Sequence, residues 1–225
     1  MVLHQARIDL GQHGTTAPID LSLGAGDLAL VNCTDADLGL VVADACSGLA
    51  DLKDGSVLFL RWNWALAPAD EANALRGRIG RLFRTEGAWL PYLSVLDNVL
   101  LRSVHHTRRT ERELARDAAD LARGFGLPGV PAAIPQDLDG GDLVRAALVR
   151  AFLSWPSLVI LEQPARGLPR DVLAALVNTI RVARDRGGAV LWFTADPKLW
   201  QDTSLPVSAR YRLAGGALSP ITRTP

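Results

Sequence analysis

Three short runs, 28–31, 158–161 and 189–193, hold nothing but apolar residues: LALV, LVIL and AVLWF. A strand with one wet face alternates apolar and polar side chains. A strand that is apolar at every position is buried on both faces. Helical stretches lie between these runs. Thr110 can cap a helix over 110–125, Glu113 completes a capping box, and Gly126 ends it. A second helix spans 142–153, and Pro169 opens a long one closed by Gly187 and Gly188. Buried strands alternating with helices predict an α/β fold with a mostly parallel sheet covered on both faces.

Weaker signals fill the rest. A mixed apolar stretch over 39–49 reads as a helix, and Asp54-Gly55 as a turn before a strand at 56–60. Trp62 and Trp64 fall on one face of a possible strand and are expected to pack. Pro and Gly make 127–135 a linker, and 211–218 reads as a hairpin around Gly215-Gly216. No internal repeat is found.

With 225 residues, the chain suits one medium-sized domain or a core with a subdomain. Hydrophobic residues make up 48% and charged residues 21%, enough for a substantial core and against disorder. The 24 basic and 24 acidic residues balance, so no nucleic-acid footprint is expected. The only lysines are Lys53 and Lys198. Cys33 and Cys46 lack metal-ligand spacing, so no metal site is expected. Met1 to Leu10 carries Arg7 and Asp9 and no apolar run, unlike a signal peptide. No stretch reaches the ~20 apolar residues that span a bilayer. A cytoplasmic chain, at most peripheral to a membrane, is expected.

The segment 138–168, LDGGDLVRAALVRAFLSWPSLVILEQPARGL, resembles the signature helix and Walker B strand of ATP-binding cassette (ABC) ATPases. Upstream, GRIGRLFRTEGAWLPYLSVLDNVLL is similar to that family's Q-loop region and the helical subdomain after it. Downstream, VLWFTADP is similar to the strand ending in the switch histidine. Order and intervals fit over residues 3–218. The resemblance implies an ABC-type nucleotide-binding domain: a RecA-like, mostly parallel core sheet and an N-terminal antiparallel β part at 1–83 and 138–225, with a helical subdomain at 84–137.

Against that pattern many motif positions differ. The family's phosphate loop falls on 33–41, where Cys33, Asp35, Asp37, Leu38, Gly39 and Leu40 stand without a lysine and with two added carboxylates. Phosphate and carboxylate repel at short range. The Q-loop glutamine is Arg84, and the Walker B pair is Glu162 and Gln163. Glutamine cannot take a proton at neutral pH. Pro169 stands at the D-loop aspartate and Ala195 at the switch histidine. The signature keeps Gly140 and Gly141 between Asp139 and Asp142, with Asp139 placed to cap the helix after it. His4 and His13 are the only rings near the family's adenine-stacking position, and both read as surface residues. Arg84 is expected to pair with Glu162 where the family holds magnesium.

These departures lead to the expectation of a non-catalytic subunit, with ATP and Mg2+ absent or weakly held as cofactors and no metal site. Its partners would be an integral membrane permease and a second ABC subunit or a second copy of itself, with no nucleic acid. Envelope lipid transport or export is the expected setting. The alternatives are an atypical but active ABC ATPase and a soluble scaffold or regulator without a permease. Trp89, Leu90, Pro91, Tyr92 and Leu93 form the apolar cluster that the resemblance marks as a permease-contact groove.

Overall fold

The computed structural model describes residues 1–84, 88–164 and 168–221. The described residues build two sheets. The first is antiparallel, in the order β2-β1-β4-β5, from β1 (Val2–Ile8), β2 (Ile19–Ser22), β4 (Leu52–Phe59) and β5 (Trp62–Asn63). The second follows the order β10-β9-β3-β8-β7-β6. It comprises β3 (Leu28–Asn32), β6 (Ile79–Leu82), β7 (Leu158–Glu162), β8 (Ala189–Thr194), β9 (Ala209–Ala214) and β10 (Ala217–Pro220). All its pairings are parallel except the terminal β9–β10 hairpin.

The all-apolar strands divide their side chains between two cores, as the period of two requires. Leu28, Leu30, Val159, Leu161, Val190 and Trp192 enter one core. That core is filled by α3 (Val95–His106), α4 (Glu111–Gly124), α5 (Gly140–Phe152) and α6 (Arg170–Asp185). Ala29, Val31, Leu158, Ile160, Leu191 and Phe193 enter the other, against α1 (Ala36–Cys46) and the antiparallel sheet. Two short helices complete the set: α2 (Ala69–Arg76) before β6, and α7 (Pro197–Gln201) after β8.

Local chemistry fixes the ends. Thr110 and Glu113 form the reciprocal capping box at α4. Helix α1 starts three residues earlier than the apolar pattern suggests, because Asp35 caps it. Trp64 stacks on Phe59 with ring centroids 5.9 Å apart, whereas Trp62 is 42% exposed, so the expected packing holds for Trp64 only.

Two close fits tie β6 to its surroundings. A Cβ at Gly80 would stand 1.8 Å from the carbonyl oxygen of Ala151, so β6 and the end of α5 approach as only glycine allows. Arg102, on α3, donates to the carbonyls of Gly77 (2.9 Å), Leu153 (2.6 Å) and Arg150 (3.4 Å). Desolvation lowers its pKa to about 10, which still leaves it charged at neutral pH.

Candidate functional site

Strand β3 runs out at Asn32 beside the start of α1. A carboxylate satisfies orphan N–H groups well, and one Asp35 oxygen accepts from Asp37 N and Leu38 N, both at 3.1 Å. The expected loop over 33–41 is therefore corrected to 33–35. Asp37, Leu38, Gly39 and Leu40 already lie in α1. The Cys33 thiol is buried against the Asp35 carbonyl at 2.7 Å. Burial, then the Asp35 charge, pushes its pKa up to about 11. Asp37 is 90% exposed and meets Arg84 at 3.6 Å. Lys53 is remote from this end, in β4, and pairs with Asp9 at 2.6 Å.

The expected pairing of Arg84 with Glu162 does not form. Arg81 takes that place: its Nε donates to Glu162 Oε1 and its Nη1 to Asp44 Oδ1, each at 2.6 Å. Strand parity is the reason. Arg81 points with Ile79 to the α1 side of the sheet, as Glu162 does with Leu158 and Ile160. Arg84 lies beyond the end of β6 and reaches the tip of α1 instead. The Arg81 and Glu162 side chains are only 7% and 6% exposed, so this is a buried bridge. Arg81 also lies over the Phe83 ring, 4.6 Å from its centroid.

Beside the bridge is a hollow of about 10 Å³ bordered by Cys33, Gly39, Arg84, Glu162, Gln163 and Phe193. That is room for about one water. Gln163 adopts a φ of +52°, strained for a non-glycine residue, and donates its N–H to the Phe193 carbonyl at 2.9 Å.

The other motif positions are spread around this centre. Asp139 caps α5, accepting from Gly141 N (2.7 Å) and Asp142 N (3.0 Å). Gly140 has open space beside it. Asp142 faces Arg145 at 3.7 Å. Pro169 occupies the cap position of α6 without a side-chain bond, next to residues 165–167, which lie outside the described set. Ala195 follows β8 and precedes Asp196, which caps α7. His4 is largely exposed, 3.6 Å from Asp20.

The apolar cluster is divided. Trp89 packs on the core, with the Arg150 guanidinium 4.4 Å from its ring centroid. Leu90 and Pro91 are exposed, Tyr92 is 82% exposed, and Leu93 is half-buried. Asn98, buried on α3, accepts from Leu90 N at 2.8 Å and donates to the carbonyls of Leu90, Leu93 and Ser94 at 2.9–3.2 Å. Inside this segment a mostly apolar cavity of about 810 Å³ runs between Phe83, Trp89 and Pro91 on one side and Leu138, Leu143 and Ala147 on the other. Arg81, Asp44, Asn98 and Arg150 were not singled out from sequence. Arg81 carried a signal, as a charge inside the apolar strand run I-G-R-L-F.

Among the described residues no group of three or more His, Cys, Asp or Glu could hold a metal ion. The residues at the α1 tip do not fit a phosphate chain in the form seen here. The Asp35 carboxylate lies on the N–H groups, the segment 33–41 holds no lysine, and the hollow is water-sized.

No family model matches the chain. Octopine permease ATP-binding protein P of Rhizobium radiobacter is 27% identical over 206 residues, 90% of this chain and 76% of that protein. The Rhizobium meliloti protein of the same name is 27% identical over 134 residues, 60% of this chain and 51% of its own length, so the match spans about half of that relative. Among solved structures, the dimeric ATP-binding cassette MJ0796, bound to ADP and Pi after hydrolysis, superposes with a TM-score of 0.80. It is 17% identical and covers 99% of each chain. At that identity the likeness shows the fold alone.

These relatives overturn the expectation of a non-catalytic chain without ATP or Mg2+: they are named as ATP-binding proteins, and nothing in them marks an inactive branch. Octopine permeases lend no support to lipid transport either. Order of elements, two-sheet topology and a match along nine-tenths of the sequence converge: the chain has the ATP-binding cassette fold and is similar along most of its length to ATP-binding subunits of ABC transporters.

Proposed function

We propose that this chain is an atypical ATP-binding subunit of a membrane transporter, acting in a pair of cassettes beneath an integral membrane permease. The observation that carries the reading is the 206-residue match to a permease ATP-binding protein. In this reading 1–83 and 138–225 form the core and 84–137 the helical subdomain. Exposed Leu90, Pro91 and Tyr92, held in shape by Asn98, offer the permease an apolar contact. No helix among the described residues is long and apolar enough to cross a membrane, which suits a subunit seated on the cytoplasmic face.

The positions around Asp35, Arg84, Glu162 and Gln163 make the subunit atypical. Contact between a nucleotide and the α1 N–H groups requires Asp35 to withdraw, and Arg84 stands at that helix tip, 3.6 Å from Asp37. Titration of the purified chain with ATP by calorimetry tests the reading, with saturable binding expected. Failure of both ATP and ADP to bind at millimolar concentration, alone and with the permease, would overturn it.

A further inference from the structure

Five apolar side chains that the fold leaves half-buried line one cavity. Phe83 follows β6, Trp89 precedes the turn before α3, Leu138 precedes α5, and Leu143 and Val144 lie on α5 itself. Single exposed apolar residues are ordinary on any protein, whereas five around one hollow mark a place for an apolar body. The cavity measures about 810 Å³, within the roughly 300–1,000 Å³ that hold a drug-sized molecule. One end of it is charged. Arg84, Glu162 and Gln163 line it there, and the same three border the small hollow at the α1 tip. The two charges are not equivalent. Glu162 is tied to Arg81 at 2.6 Å, so its charge is already answered. Arg84 meets Asp37 at 3.6 Å, too long for a hydrogen bond, and Asp37 is 90% exposed. The Arg84 guanidinium thus keeps its donors for a second anion.

We propose that this cavity binds an amphipathic monoanion, a medium-chain carboxylate, with its chain among Phe83, Trp89 and Val144 and its head on Arg84. Burial of the chain supplies the affinity, and the planar guanidinium pairs with a carboxylate and fixes the orientation. The head carries one charge because the cavity offers one unanswered cation with a carboxylate beside it, which opposes a second negative charge. Trp89 and Pro91 line the same cavity as α5, so the occupant lies under the Leu90–Tyr92 turn and holds it from within. The site needs no nucleotide and stands apart from the function proposed above.

Anilinonaphthalene sulfonate (ANS) and its uncharged parent, phenylnaphthylamine, are the probes, read by fluorescence on the purified chain with sodium decanoate as competitor. The wild type should bind a single ANS with a Kd on the order of 10 μM, the usual yield for a ligand of that size. Decanoate should displace it, and acetate should not. Arg84→Gln should weaken ANS and decanoate about tenfold and leave the uncharged parent unchanged. A merely structural role for Arg84 would move both probes together. Val144→Trp fills the cavity and should abolish binding of both. Gly140→Leu is the second blocker: Gly140 lines the cavity, and a Cβ there meets nothing within 4 Å, so the start of α5 takes it without a clash. It should weaken both probes at least about tenfold with a melting temperature within about 2 °C of wild type. Absence of saturable ANS binding would overturn the proposal. Binding that neither blocker changes would place the probe on the exposed Leu90–Tyr92 turn and would overturn it too. So would equal affinities of the two probes in both wild type and Arg84→Gln, which describe an apolar hollow without anion recognition. Absence of ATP binding alongside the expected probe pattern would remove the proposed function and leave this site standing.

Discussion

Replacing Gly80 with alanine adds one methyl group where β6 runs against the last turn of α5. The new Cβ would stand 1.8 Å from the Ala151 carbonyl oxygen and 2.8 Å from Pro156 Cγ, where ordinary contact begins at 3.4 Å. Something must move by more than 1 Å, and the nearest obstacle is the Ala151 backbone. Strand β6 cannot slide, because Ile79, Gly80, Arg81 and Leu82 are in register with Leu158 to Leu161. Overpacking a filled core costs about 1–3 kcal/mol, and a backbone clash belongs at the top of that range. In a domain of this size about 3 kcal/mol lowers the melting temperature by roughly 6–12 °C. Gly124→Ala is the matched control. It sits at the end of α4 with nothing within 4 Å, and alanine there should be neutral or stabilising by up to about 1 kcal/mol. Thermal melts followed by far-UV circular dichroism compare the two. A fall of less than about 2 °C for Gly80→Ala would refute the claim that this approach is rigid.

Removing the cap with Asp35→Ala should cost about 1 kcal/mol of stability in urea unfolding and raise ATP affinity severalfold in calorimetry. Unchanged or weaker affinity would show that its carboxylate does not obstruct the α1 N–H groups. Asn98→Ala removes the four side-chain bonds that this residue makes to 90–94, and the Leu90 amide should exchange with deuterium at least about tenfold faster. Burial pushes the Cys46 thiol from 9.0 to about 12, so the proton is held more tightly in the folded chain. The stability this contributes is complete below pH 9 and is lost as pH rises towards 12. Cys46→Ala should flatten that decline in unfolding measured from pH 8.5 to 11.

How much could be read without the structure depended on whether each residue's surroundings were local. The three apolar strands are local statements, and they sit in the centre of the sheet. The α4 capping box is also local, written in Thr110 and Glu113. Strand β1 escaped notice because a bulge breaks its period: Gln5 has a φ of +48°, and the register slips between Leu3 and Ala6. Its inward residues therefore fall three apart where a simple strand places them two apart. The partner of Glu162 escaped for a different reason. Which of two arginines three residues apart reaches a carboxylate 81 positions away from one of them depends on sheet parity and on where β6 stops. The expectation of inactivity erred by weighing single motif positions above the kinship of the whole chain.

The place of β3 in the sheet has a consequence for synthesis. Its parallel neighbours are β8 and β9, so Leu28 waits for Val190 on one side and Ala29 for Ala209 on the other. The next strand of this sheet to be translated, β6, is no help, because β8 and β7 lie between it and β3. A nascent chain with only β3 and β6 outside the ribosome carries two fully apolar or nearly apolar strands that cannot pair with each other. At bacterial or eukaryotic translation speeds of roughly 5–20 residues per second, that state lasts for several seconds. Such unpaired edges invite wrong partners, so the LALV segment is where a chaperone would be needed until the last third of the chain emerges.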